Sequence, residues 1–405
     1  MNHKIILFLM PSLMFFKIKG IGVLYLPELI SLFLFIQFFS KIILLYKDQL
    51  KTFILLIFLY LFVQVFSDLY RATPSEDYLR GWSNIIFFLI HTSTLFVLLS
   101  NDKNNFFIFG LGYVLGIILT TFYSPNIYFQ GGSFWKFGYG TPITFLIALL
   151  TTSKFIQNNF IKILIFLSLA ITNFYFGFRS LAGVCLFVSL ILFIVNFNSI
   201  HNFLNNKKSI QYKIVSSILL IFILTYLVNS SYAYLAINEY LGVNEVARYK
   251  SQIGSLGILV GGRQEILTSI YAILNSPFIG YGSWAMNPFS DDLLQGLLLD
   301  FGYYNIQAFT YFDDRLPTHS HFFGAWVTAG IFGVFIWIWF LYNIFKALVL
   351  NSMKKDNWNG FFYFICILMT WKIFFSTFAG EARFYDAYYL CLILFIVNKP
   401  SLNEK

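Results

Sequence analysis

The sequence predicts an all-α, polytopic integral membrane protein with about twelve transmembrane helices and one long loop on the outer side. Three observations predict it. The 405-residue chain is 58% hydrophobic and only 11% charged, and its mean hydropathy is +0.72. Soluble domains carry roughly a quarter of their residues as charged side chains, so a soluble fold is excluded. The apolar residues also gather in many runs of about 20, the length that crosses the hydrocarbon core as a helix. The short alternating segments of a membrane β-barrel are absent.

The first stretch, "MNHKIILFLMPSLMFFKIKG", has the lysine and short apolar region of a signal peptide. It lacks a small-residue cleavage site and is followed by Lys17 and Lys19, so it reads as a short first span or a re-entrant segment. Further apolar runs cover 21–40, 52–67, 82–100, 106–123, 141–153, 159–177, 181–197, 214–230, 320–345, 360–378 and 387–398. The chain therefore divides into N-terminal transmembrane helices over 1–230, a long loop over 231–319 and C-terminal transmembrane helices over 320–405. Connections as long as this loop usually carry function. Cys185, Cys366 and Cys391 fall inside apolar runs without metal-ligand spacing, and read as small buried hydrophobes.

Charge sets the orientation. With the long loop facing away from the cytoplasm, the inner segments hold fifteen lysines against four acids, Asp48, Asp102, Asp356 and Glu404. The opposite face holds twelve basic residues and fourteen acids. The net charge of +9 is then an inside-positive signature and not a nucleic-acid footprint, and both termini come out cytoplasmic. A second asymmetry concerns residue type: all seven arginines (71, 80, 179, 248, 263, 315 and 383) fall on the outer side. For topology alone lysine would serve equally well. The guanidinium fork grips phosphate or carboxylate in a bidentate way, so several of these arginines are expected to meet an anionic ligand.

Arg179 stands in "FYFGFRSLAG" at the outer boundary between two apolar runs, where an ionisable side chain either serves a site or snorkels to the headgroups. Arg263 stands in "GGRQEILTSIYAILNSPFIGYG". Helical spacing of Ile266, Leu267, Ile270, Tyr271 and Leu274 predicts an amphipathic helix over about 263–275 at the outer interface, ended by Pro277, Gly280 and Gly282. Arg263 would sit in its first turn, where free backbone N–H groups favour an anion. In "LPTHSHFFGAWVTAGIFG", Thr318 could cap a helix that holds both His319 and His321 in its first turn. A neutral imidazole can take a proton from a hydroxyl; the bland alternative is polar capping without catalysis.

The run His319-Ser320, nine residues, then Gly330-Ile331-Phe332-Gly333 resembles the signature of the O-antigen ligase family. "GFRSLAG" resembles the arginine-bearing turn upstream in that family, and "GGRQEIL…NSPFIGYG" resembles its following segment, with the usual tryptophan replaced near Ile266. The three motifs cover residues 175–335 in the expected order; the N-terminal third matches only in its pattern of spans. The superfamily includes O-antigen ligases and the repeat-unit polymerases of O-antigen and capsule. The resemblance implies a GT-C-like membrane glycosyltransferase fold in the bacterial inner membrane, with the long loop and the site facing the periplasm. It implies an undecaprenyl-diphosphate-linked glycan as donor and another as acceptor, no metal and no cofactor, and a chain-length regulator as a candidate partner protein. Carried over by position, Arg179 and Arg263 would hold the donor diphosphate and His319 would be the catalytic base. His321 would be a second base or an acceptor contact.

Further candidate substrate contacts are Arg80, Arg315 and Arg383 among the outer arginines, and Trp135 and Tyr139 in "QGGSFWKFGYG", which could stack on sugar rings or anchor at the interface. For Arg383 an ion pair with Glu381 or Asp386 is the stronger expectation. Asp291–Asp292 and Asp313–Asp314 are adjacent pairs that point apart on an extended loop, a poor pattern for a metal. The expected activity is polymerisation of lipid-linked repeat units by inverting glycosyl transfer. A ligase that moves finished glycan onto lipid A–core differs only in its acceptor. A transporter or flippase of similar span number is the alternative of another class; no internal repeat supports it, and the span interiors hold little polar beyond His91 and Lys372.

Overall fold

The computed structural model describes residues 3–48, 50–196, 215, 219, 223, 226, 230–238, 240, 243–255, 261–286, 296–303, 315–316, 318–352 and 356–398. The expected span over 214–230 and the two acidic pairs lie largely or wholly outside these residues.

The described chain is helical apart from one small hairpin. Helix α1 (His3–Ser12) passes through a 3-10 turn into β1 (Lys17–Lys19) and β2 (Val23–Tyr25), paired antiparallel with Ile18 opposite Leu24. "KGIG" makes that turn, so the second apolar run does not begin as helix at residue 21. It begins at α2 (Leu26–Gln37), with Pro27 in the first turn and Glu28 reaching back to the Tyr25 N–H at 2.9 Å. A break at Phe38 turns the chain by 81° into α3 (Phe39–Asp48).

The long helices follow: α4 (Lys51–Tyr70), α5 (Ser75–Leu99) and α6 (Lys103–Tyr123). After a short helix α7 (Ile127–Gln130) come α8 (Gly140–Leu150), α9 (Asn159–Tyr175) and α10 (Arg179–Val195). The second half contributes α11 (Val243–Gln252), α12 (Glu265–Asn275), α13 (His321–Ala329), α14 (Ile331–Ser352), α15 (Asn359–Phe375) and α16 (Ala382–Val397). The amphipathic helix expected over 263–275 is α12. Its buried side is Leu267, Thr268, Ala272 and Ile273, while Ile270, Tyr271 and Leu274 point outward.

Among the described residues four helices, α4, α5, α6 and α14, are long and apolar enough to cross a membrane, and a fifth span results if α2 and α3 count as one. α1, α9, α10 and α15 are apolar but shorter. In hydrocarbon every backbone polar group needs an internal partner, which the helix supplies within one segment.

The core forms where α16 packs on α5 and α14, and α4 packs on α14. Two of its polar rings bond inside it: the Tyr388 hydroxyl donates to the Phe106 carbonyl, and Tyr389 pairs with Tyr113, both at 2.9 Å. Cys185, Cys366 and Cys391 are free and buried, as read from the sequence.

The expected helix over 320–345 is two helices. Gly330 ends α13 with φ +71°, a conformation open to glycine, and α14 starts at the next residue. "PFIGYG" is what fills the break. Tyr281 N–H donates to the Val327 carbonyl at 2.7 Å, Gly282 N–H to Thr328 O at 3.0 Å, and Ile331 N–H to Pro277 O at 2.9 Å. A Cβ on Gly330 would run into the Phe278 carbonyl, and one on Gly280 would meet Thr328 and the Gly330 N–H. Two of the motifs that carry the family resemblance are thus each other's packing partners.

Candidate functional site

One end of the bundle collects the arginines. Arg71 caps α4 and donates to the Gly280 carbonyl at 2.9 Å and to Ser276 Oγ at 2.7 Å, with its guanidinium over the Tyr281 ring. Partial burial raises the Tyr281 phenol above its ordinary value against the opposing effect of Arg71, so the ring meets the cation as a neutral phenol. Arg80, in the early turns of α5, bonds the Ile21 carbonyl and pairs with Asp77 at 3.4 Å and Glu76 at 3.7 Å. The opposite end carries lysines: Lys103 pairs with Asp356, and Lys162 donates to the Asn357 carbonyl at 2.7 Å.

At the arginine end a cavity of about 320 Å³ opens between α4, α5 and the start of α13. Its wall includes Gln64, Asn84, the turn Ser283-Trp284-Ala285, Arg315 and Thr318. Trp284 and Ala285 have φ of +63° and +41°, a strained conformation for residues with side chains. The strain is held by the buried Asp68 carboxylate. It accepts from the Ser283 N–H at 2.5 Å, the Ser283 hydroxyl at 2.9 Å and the Trp82 indole at 2.7 Å. Leu316 N–H closes the turn on the Ala285 carbonyl at 3.0 Å, and Arg315 bridges to Met286.

The two histidines differ in kind, and His321 alone of the two lines the cavity. The cap of α13 is Ser320, whose hydroxyl accepts from the Phe323 N–H at 3.0 Å, and not Thr318. The helix therefore starts at His321, and His319 stays outside it. The reason is Ser320's extended backbone and its own anchor, a hydroxyl bond to the Ile373 carbonyl at 2.9 Å.

His321 is buried and fully engaged. Its Nδ1 lies 2.6 Å from the Ser376 carbonyl and its Nε2 2.9 Å from Asp386 Oδ2, while Lys372 binds the other Asp386 oxygen. Both ring nitrogens face oxygen atoms of the protein, so the ring is tied in place from two sides, and neither nitrogen is turned to a substrate. His319 is 43% exposed, and its Nδ1 stands 3.4 Å from Glu265 Oε1 at the first turn of α12. The pair is a distance contact without a hydrogen bond, and Nδ1 has no bonded partner among the described residues.

Arg263 lies two residues before Glu265, half-buried, and no side chain pairs with its guanidinium among the described residues. Arg315 lines the cavity with its guanidinium 3.9 Å from Asp77. Its buried Nε has no acceptor among the described residues. Arg179 starts α10 and donates to the Tyr232 hydroxyl at 2.9 Å. Tyr232 packs edge-on against Tyr249 of α11, whose end meets Gly261 just before Arg263. Contacts thus join His319 to Glu265 and Arg179 to Tyr232, while Arg263 stands two residues before Glu265 in the chain.

Three expected substrate contacts belong elsewhere. Arg383 is 4% exposed and is consumed by Glu28 at 2.5 and 2.8 Å, Asn84 at 2.7 Å and the Val23 carbonyl at 3.1 Å. Its ion pair partner is Glu28, 355 residues away in sequence, and neither Glu381 nor Asp386. Trp135 bonds Asn173 at 2.9 Å and stacks on Phe176, and Tyr139 packs edge-on with Phe122 and Phe129. Both rings build an aromatic cluster, with no part in the cavity wall. Sequence reasoning missed Glu265, Asp68, Asp386, Glu28 and Gln64. The signal for some of them was present: an acid in an apolar run, as Glu28 is, needs a partner there.

No family model matches the chain, and no curated protein is significantly similar to it.

Proposed function

We propose that this protein is a membrane glycosyltransferase that joins undecaprenyl-diphosphate-linked oligosaccharide repeat units at the outer face of the bacterial inner membrane. It would span the bilayer about twelve times and work on the arginine-rich side. The observation that carries the reading is His319 standing 3.4 Å from Glu265, between the cavity-wall residues Thr318 and Ser320 in the chain, with Arg263 two residues before Glu265 and unpaired among the described residues.

The acceptor hydroxyl oxygen attacks the anomeric carbon of the donor glycan, forming a new glycosidic C–O bond. His319 Nε2 takes the hydroxyl proton. The anomeric carbon–oxygen bond to the lipid diphosphate breaks on the opposite face, the leaving oxygen keeps the electron pair, and the configuration inverts. Fixed guanidinium groups stabilise the charge that develops on the diphosphate, with Arg263 as the nearest and Arg179 further along the loop. The isoprenoid tail stays in the bilayer and the diphosphate stays at its surface, which requires a base at the same depth.

Surface glycan from a deletion strain, complemented with wild type, His319→Ala or Arg263→Ala, tests this on a gel. The expected result is a single repeat unit on the lipid core in the deletion, and no ladder with His319→Ala. Absence of any attached repeat with accumulation of long lipid-linked glycan would make the protein the ligase. A normal ladder from both variants would overturn the catalytic assignment.

A further inference from the structure

The cavity beside His319 has a wall chemistry that the catalytic unit does not use. Trp284 lines it, and the indole makes no ring pair or hydrogen bond with another described residue. An aromatic face held in place without a ring partner among the described residues needs explaining, because a positive φ at tryptophan costs energy and persists only where the surroundings impose it. Here Asp68 and the Ala285–Leu316 bond impose it.

Two buried amides on the opposite wall are each half used. Gln64, 2% exposed, spends its Nε2 on Asp68 at 3.3 Å and Ser283 at 3.1 Å, which leaves its Oε1 as a spare acceptor. Asn84, 8% exposed, spends its Oδ1 on Arg383, which leaves its Nδ2 as a spare donor pair. Each amide is thereby fixed in orientation from behind. Arg315 adds the buried Nε that lacks an acceptor. A buried polar atom without a partner in a wall is the mark of a missing ligand group. The set comprises one acceptor, one double donor, one cationic donor and one aromatic plane.

That combination selects a ligand with hydroxyls around its edge and C–H bonds on its face. A pyranose ring is such a ligand. A lipid tail would leave three polar groups unsatisfied, and a diphosphate would face the spare Gln64 oxygen and the Asp77 carboxylate behind Arg315. Size agrees: about 320 Å³ is at the small end of ligand sites, enough for one sugar ring and not for a whole repeat unit.

We propose that this cavity is a sugar subsite that receives the terminal pyranose of the acceptor glycan. Trp284 lies against the face of the ring, and Gln64 Oε1, Asn84 Nδ2 and Arg315 Nε bond its hydroxyls. Assigning the sugar to the acceptor rests on the proposed glycosyl transfer at His319, whose neighbours Thr318 and Ser320 form part of the same wall. Binding of the ring itself does not depend on that transfer.

The test uses the full-length protein in detergent, with repeat-unit oligosaccharide from partial hydrolysis of the source strain's own surface polysaccharide as probe. Calorimetry and tryptophan fluorescence should show saturable binding to wild type. Trp284→Ala should weaken it about tenfold, with most affinity kept by Trp284→Phe. Arg315→Ala, on the rim of the cavity, provides a second reading should Trp284→Ala unfold, and should also weaken binding. No saturable binding to wild type, or wild-type affinity in both Trp284→Ala and Arg315→Ala, overturns the subsite. Binding that behaves as expected in a protein whose deletion leaves the surface glycan unchanged would overturn the glycosyl transfer and leave the sugar site standing.

Discussion

Asp68 and Ser283, 215 residues apart, form the contact that ties the first half of the chain to the cavity: both oxygens of one buried carboxylate are taken by the N–H and the hydroxyl of one serine. Trp82 and Gln64 donate to the same carboxylate. Four donors and no cation surround it among the described residues, and each such bond contributes about 1.5–3 kcal/mol when made to an ionised group. Asp68→Asn keeps the shape but sets an NH₂ against donors. Thermal unfolding in detergent should shift down by the loss of at least one such bond, and oligosaccharide binding should fall with it. An unchanged midpoint together with unchanged binding would show that the carboxylate is not what holds Trp284 in place.

The α13–α14 break makes a second prediction. Gly330→Ala would place a methyl group against the Phe278 carbonyl at a positive φ, costing about 1–3 kcal/mol from backbone strain before the clash is counted. Gly324→Ala, at the fourth residue of α13, meets nothing nearer than Thr318 Oγ1 at 3.5 Å and should fold as well as wild type. Equal unfolding midpoints for the two variants would rule out the interlock of Gly330 with "PFIGYG".

The histidines should separate on stability. His321→Ala strips a buried carboxylate of one partner and leaves Lys372 to compensate alone, a loss of about 3–5 kcal/mol by analogy with broken buried ion pairs. His319→Ala, at an exposed position, should stay within about 0.5 kcal/mol of wild type while chain elongation drops by about 10²–10⁴. Loss of stability in the His319 variant of the size seen for His321 would assign it a structural role instead.

Arg383 and Glu28 offer a double-mutant cycle. Arg383→Met alone leaves the Glu28 carboxylate in the interior with the Tyr25 N–H and with His91, 3.4 Å away, and should destabilise by about 3–5 kcal/mol. Adding Glu28→Gln removes the stranded charge and should recover part of that loss. Strictly additive effects would mean that the two groups do not act as a pair.

Composition and run length alone determined that this chain is helical and carries membrane-length apolar segments. They did so because the bilayer imposes one length and one hydrogen-bonding solution on any segment that crosses it. Local signals placed α12 between "GGR" and "PFIGYG" for the same reason: spacing and turn residues act over a few positions. The partnerships were not legible. Arg383 found Glu28 and Asp68 found Ser283 across hundreds of residues, and nothing in the spacing of either pair encodes that meeting. The motif singled out His319 of "THSH" and left His321 as a second candidate, without showing where either ring goes. Only the packing of Ser320 on Ile373 and of His321 on Asp386 turned His321 inward as a structural group and left His319 outside the helix, because a ring nitrogen can serve either a buried carboxylate or a substrate, not both.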